Sequence, residues 1–179
     1  MRHILVLILL AACLPLFAQS PKTQDKPTLK SILLEQLRST HNKAEWFVPA
    51  NTAVAGLTPE QASWADGKGN HSVGQLVNHL IFWDRRSLEK FEGKPLEKYN
   101  GNNDETFTSF DSKQWNAAVQ QLDQVMTDWE NAVASADDSK LQSWYSTIAH
   151  VGTHNAYHIG QIIYVRKEQG AWNPANGVK

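Results

Sequence analysis

The sequence contains a single cysteine, Cys13, and it lies inside an apolar N-terminal stretch. A disulfide framework needs pairs of cysteines and a thiolate zinc site needs several, so both are excluded. Excess charge of either sign is also missing: 17 Lys and Arg stand against 18 Asp and Glu, for a formal net charge of −1. A nucleic-acid binder carries a basic footprint, and none is present. Beyond the N-terminus no apolar run approaches the ~20 residues of a membrane span, which excludes a polytopic membrane protein. Strand-like alternation never persists for more than a few residues. What is present is a chain of 179 residues, enough for one ordinary core, with seven histidines.

Met1-Arg2-His3 is a short basic start, and the apolar stretch Ile4–Ala18 that follows is shorter than the ~20 residues of a membrane helix. This pattern predicts a secretory signal peptide over 1–18, cleaved after Ala18, and a secreted or periplasmic protein. Leu10-Ala11-Ala12-Cys13 offers an alternative, a bacterial lipobox that would anchor a lipoprotein through Cys13. The residues after Cys13 stay apolar, where an exported lipoprotein usually turns polar. Residues 19–27 are polar with two prolines and predict a disordered lead-in. The remaining 28–179 reads as one domain.

Four amphipathic patterns follow. Leu29, Ile32, Leu33, Leu37, His41 and Ala44 recur at three- and four-residue steps, as do Val73, Leu76, Val77, Leu80, Leu88 and Phe91. Trp115, Val119, Leu122, Met126, Trp129 and Val133 form a third stripe behind a capping box at Asp111–Gln114. The fourth runs to Arg166 and Lys167 before Gly170. The expected helices lie near 29–48, 72–92, 112–135 and 146–169, with Asp137-Asp138-Ser139 as a break. Four such helices predict an all-α fold, an antiparallel four-helix bundle.

The last helix carries His150, His154 and His158. Residues four apart on a helix differ by about 40° in direction, so these rings form one column. Two imidazoles at this spacing can face one divalent metal. A third ligand must come from a facing helix, and His41, His71 and His79 are the candidates. His79 borders the stripe of Leu76 and Leu80, where an unpartnered imidazole would cost roughly 1–3 kcal/mol. His71 reads as a solvated loop residue, and His41 as a core histidine with its own partners.

Leu76-Val77-Asn78-His79-Leu80-Ile81-Phe82-Trp83, followed downstream by His154-Asn155-Ala156-Tyr157-His158-Ile159-Gly160-Gln161, resembles the DinB/YfiT-like superfamily of metal-binding four-helix bundles. The resemblance implies His79, His154 and His158 as ligands of a divalent metal ion, zinc or nickel, with coordination sites left open. His150 has no assured counterpart. Gln161 or Asn155 is expected to hold a ligand's second nitrogen. Some relatives resemble thiol S-transferases and others metal-dependent hydrolases, so the expected function is a metal-dependent enzyme of either type acting on a small molecule. The alternative is a non-catalytic exported metal- or ligand-binding module. A homodimer is compatible with such a bundle. Ordinary imidazoles would release the metal as pH falls below about 6.5.

Plainer roles are expected elsewhere. Trp83, Trp115 and Trp129 read as core filler, Gly152 and Gly160 as close-packing sites, and Asp84-Arg85-Arg86 as a solvated face. Arg86, near His79 on the helical wheel, is a candidate for attracting an anion. Asn102-Asn103-Asp104-Glu105 reads as a polar loop rather than a calcium site.

Overall fold

A computed structural model describes residues 26–107 and 110–178 of the chain. The expectations for the signal peptide, Cys13 and most of the lead-in fall outside the described residues. Among those described there are helices and no strands: α1 (Leu29–His41), α2 (Ala50–Val54), α3 (Pro59–Ser63), α4 (Val73–Glu92), α5 (Trp115–Ser135) and α6 (Asp138–Glu168). Short 3-10 turns cover Asn103–Phe107, Ser112–Gln114 and Pro174–Asn176. The fold is all-α, a bundle of the four long helices in which α1 and α4 each pack against both α5 and α6. No helix among the described residues is long and apolar enough to cross a membrane.

Local chemistry sets the helix starts. Thr28 with Ser31, Thr58 with Gln61 and Ser72 with Gln75 form reciprocal capping boxes at α1, α3 and α4. At the end of α4, Gly93 adopts φ 76°, the left-handed geometry that lets the chain turn away. The expected box at Asp111 is only half made: its carboxylate accepts from the Lys113 N–H and caps a 3-10 turn, and α5 begins at Trp115.

Two boundaries differ from the periodicity. The first helix stops at His41 instead of 48, because the His41 ring is tied sideways to α5 and the Asn42 and Lys43 N–H groups both return to the Arg38 carbonyl. The last helix starts at Asp138, eight residues before the expected 146. Asp137-Asp138-Ser139 is a cap and not a break: the Asp137 side chain accepts from Lys140 N–H, and Asp138 favours the positive helix end.

The core has two parts. Leu76, Val77, Leu80, Trp115, Leu122 and Ile162 belong to one, and Leu33, Leu88, Phe91, Trp129 and Ile148 to the other. Burying the two indoles contributes on the order of 4–6 kcal/mol each. Their N–H groups are satisfied, Trp115 donating to the Leu57 carbonyl and Trp129 to the Asp84 carbonyl, both at 2.9 Å. This packing holds α4 and α6 side by side.

Candidate metal centre

His79 lies mid-way along α4, and His154 and His158 lie one turn apart on α6. The ring centroids are 5.1 Å apart for His79 and His154, 4.5 Å for His79 and His158, and 4.6 Å for His154 and His158. One nitrogen of each ring lies within 4.8 Å of the other two, and among the described residues no other group of histidine, cysteine or acidic side chains meets that spacing. An ion with nitrogens at ~2.0–2.1 Å in tetrahedral geometry keeps them about 3.4 Å apart, so modest closure suffices. His79 Nε2 and His154 Nε2 are already at 3.1 Å.

Hydrogen bonds select the nitrogens. The Thr106 hydroxyl donates to the Asn103 carbonyl at 2.6 Å, so its oxygen can only accept from His79 Nδ1–H, 2.5 Å away. His79 therefore keeps its proton on Nδ1 and presents a bare Nε2. The same device holds His158, whose Nδ1–H donates to Gln161 Oε1 at 2.6 Å, while the Gln161 amide donates to the Tyr157 hydroxyl at 3.3 Å. Anchored second nitrogens of this kind are what metal-binding imidazoles usually show.

Electrostatics keep the rings neutral. Burial, followed by repulsion from the neighbouring histidines, pushes His79 down to about 3, and burial with His158 pushes His154 down to about 4. Burial lowers His158 as well, against the bond to Gln161. Neutral imidazole is the form that ligates. Phe107 stacks on the His79 ring at 4.0 Å and shields that side. A cavity of about 760 Å³ opens beside the triad, walled by Trp83, Phe107, His150 and Tyr157.

The structure brings together the three histidines that the resemblance names, and it leaves the others apart. His150 is exposed on the cavity rim. His41 is buried between Glu130 and Asp123, at 2.6 and 2.8 Å, as a core histidine with its own partners. His71 departs from its solvated expectation, since its ring stacks on Phe107 at 3.8 Å and lines the cavity. Of the two residues expected to hold a ligand's second nitrogen, Gln161 bonds to His158; Asn155 donates its amide to Asp84 Oδ2 at 2.9 Å, and its side chain raises the His154 pKa against the effect of burial.

Asp84, Arg86, Trp83 and Gly160 depart from their sequence expectations. Asp84 is no solvated residue: it is 1% exposed at the cavity floor, and burial pushes its carboxyl up to about 7 despite the Asn155 bond. Asp84 Oδ1 is buried without a hydrogen-bond partner among the described residues. Arg86 turns away from the cavity and donates to the Glu97 carbonyl at 2.9 Å. Trp83 is half-buried in the cavity wall, its indole donating to Asn103 at 3.2 Å, rather than core filler. Gly152 faces Gln36 of α1, but at Gly160 no neighbouring group among the described residues lies within 4 Å of where a Cβ would sit. The Glu105 carboxylate is taken up by the Asn100 and Asn102 amides, which folds the loop into the turn carrying Thr106.

Thr106, Phe107 and Asp84 are contributors that the sequence reading missed. Only Asp84 left a signal, an acidic residue four places beyond Leu80 and four before Leu88 in the apolar stripe.

A sequence model of the DinB superfamily matches residues 49–162. The chain belongs to the DinB superfamily. The match spans His79, His154, His158 and Gln161, and so covers the whole histidine cluster of this DinB-superfamily protein. No curated protein and no solved structure matches significantly.

Proposed function

We propose that this DinB-superfamily protein is an exported metal-dependent enzyme that holds one divalent ion, zinc or nickel, on His79, His154 and His158. The observation that carries the reading is the pair of anchored tautomers: Thr106 and Gln161 each occupy a second ring nitrogen and leave Nε2 of His79 and His158 bare toward a common point. A divalent ion on three neutral imidazoles retains its full charge and supplies Lewis acidity, which lets a water or a thiol lose its proton near neutral pH. The chain's own groups do the rest. Phe107 covers one face of the His79 ring, and Trp83, Tyr157 and His150 line the approach to the triad. His154 Nε2, which donates to the bare His79 Nε2 at 3.1 Å, would ligate as the other neutral tautomer, with that proton carried on its Nδ1. The reaction class is hydrolysis or thiol transfer to a small-molecule electrophile.

Metal analysis of the purified protein tests the reading. One divalent ion per chain in the wild type and a large loss of occupancy in His79→Ala are expected, with little change in His71→Ala. Full retention in His79→Ala would overturn it. The non-catalytic alternative draws on one feature, His150 on the same cavity rim one turn from His154. A fourth protein ligand would close the site as structural sites are closed. Cobalt substitution distinguishes the two: a spectrum that changes with added thiol or azide, and is the same in His150→Ala, supports the enzyme. Export is read from the mass of native material, expected to begin at Gln19. A lipid-modified chain beginning at Cys13 would place it on a membrane.

A further inference from the structure

A second cavity, about 430 Å³, adjoins the metal cavity, and His71 and Gln161 line both. Its chemistry differs from that of its neighbour. Trp64 and Tyr164 supply aromatic surface, and among the described residues its carboxylates are Asp66 and Glu168 and no lysine or arginine lines it. Leu76 and Val165 are buried and give it an apolar floor. The Lys68 N–H and the Asn70 amide both donate to Asp66, which keeps that carboxyl ionised below its ordinary range. The cation that acts on Asp66 is Lys68, which lies outside the lining.

The two cavities are joined by one face of α6. His154, His158, Gln161, Val165 and Glu168 follow steps of four, three, four and three, the spacing of a single helical stripe. Rising 1.5 Å per residue, this stripe separates His158 from Glu168 by about 15 Å. Gln161 stands between, fixed by its bonds to His158 and Tyr157. An aromatic wall with two carboxylates beside His71, and with no lysine or arginine among the described residues that line it, attracts a cation through ring quadrupole and charge and disfavours an anion.

We propose that this side pocket binds an ammonium or amine group at the far end of an elongated substrate whose other end reaches the triad. As a statement about substrate it rests on the metal-enzyme reading; the binding of a cation does not.

The experiment titrates choline, and separately its uncharged carbon isostere 3,3-dimethyl-1-butanol, into the protein while following the Trp64 indole resonance. Chelator-treated and zinc-loaded samples are run in parallel. Saturable choline binding is expected in both, with the isostere at least about tenfold weaker. Tyr164→Ala should weaken choline by about 2- to 30-fold, the range for losing one aromatic face, and Glu168→Gln should weaken it by a similar factor. Equal affinity for the isostere, no saturation, or indifference to both substitutions would overturn the proposal. So would shifts centred on Trp83 and Tyr157, which would put the cation in the metal cavity instead. The two readings fail separately. Zinc uptake without choline binding overturns the side pocket alone, and choline binding with no zinc uptake overturns the metal site alone.

Discussion

Lowering the pH from about 7.5 to about 5.5 separates a buried triad from three ordinary imidazoles. At pKa ~6.5 each free ring is about nine-tenths protonated at the lower pH, and competition at three rings together weakens metal binding on the order of a thousandfold. In this protein His79 is pushed down to about 3 and His154 to about 4. Both are neutral throughout the window and contribute almost nothing to the loss. That leaves His158, whose pKa is also lowered. Even at the ordinary imidazole value it would account for about tenfold. The expected loss of zinc affinity from the imidazoles is therefore about tenfold or less.

Asp84 titrates in the same window, because burial pushes it up to about 7. Its ionised form favours a nearby cation, so acidification removes a favourable charge and steepens the wild-type slope, by up to about 30-fold for a group that ionises near 7. The measurement is accordingly made in both the wild type and Asp84→Asn. Competition with a chromophoric chelator of known pH dependence gives zinc affinity at each pH. In Asp84→Asn, a loss of a hundredfold or more would refute the reasoning, since at least two rings would then be taking up protons that burial is meant to exclude.

Three further outcomes are expected. Thr106→Val removes the acceptor for His79 Nδ1–H at nearly constant volume and should lower metal affinity about 10- to 100-fold, with Thr106→Ser restoring it; unchanged affinity would show that the Thr106 bond does not hold the ligand. Asp84 binds a proton more tightly folded than unfolded, so its contribution is fully present below about pH 4 and is lost as pH rises through about 7, with a ceiling of about 4 kcal/mol. Metal-free Asp84→Asn should then gain on the wild type in urea unfolding as pH rises from about 5 to 8, and a constant difference would count against a buried neutral acid. Gly160→Ala adds a methyl group in open space on an exposed face of α6, and it should raise stability by about 0.5–1 kcal/mol and Tm by a few degrees without altering zinc uptake.

Much of this molecule was legible because helices advertise themselves by period. The apolar stripes that located α4 and α5 recur in the core as Leu76, Val77, Leu80, Leu122, Met126 and Trp129. The histidine pair was legible for the same reason, since a four-residue step on one helix fixes relative direction whatever surrounds it. Boundaries were harder. Asp137-Asp138-Ser139 uses the same residue types to cap a helix as other sequences use to end one, and only the Lys140 N–H bonding to Asp137 distinguishes the two. Likewise the step of α1 beyond His41 was broken by a tertiary tie to Glu130 and Asp123, which are remote in sequence.

What holds the triad was not legible, and the reason is the element that supplies it. Residues 94–110 have no period, so nothing in their order says that Glu105 will gather the amides of Asn100 and Asn102 into a turn. That turn aims Thr106 at Nδ1 of His79 and lays Phe107 across its ring. Ligand identity is thus written on helices, whereas the choice of tautomer for His79 is written on a loop. His158 shows the contrasting case: its anchor, Gln161, is three residues away on the same helix and was one of the two residues expected there. The same continuity of α6 extends past the anchor to Val165 and Glu168 in the side pocket. A helix running unbroken from Asp138 to Glu168 therefore carries two candidate ligands, the residue that orients one of them, and the acid that would meet a cationic substrate end. Shifting the register of α6 by one residue would displace all four together, which is why a substitution that kinks this helix should cost metal affinity and choline binding in parallel.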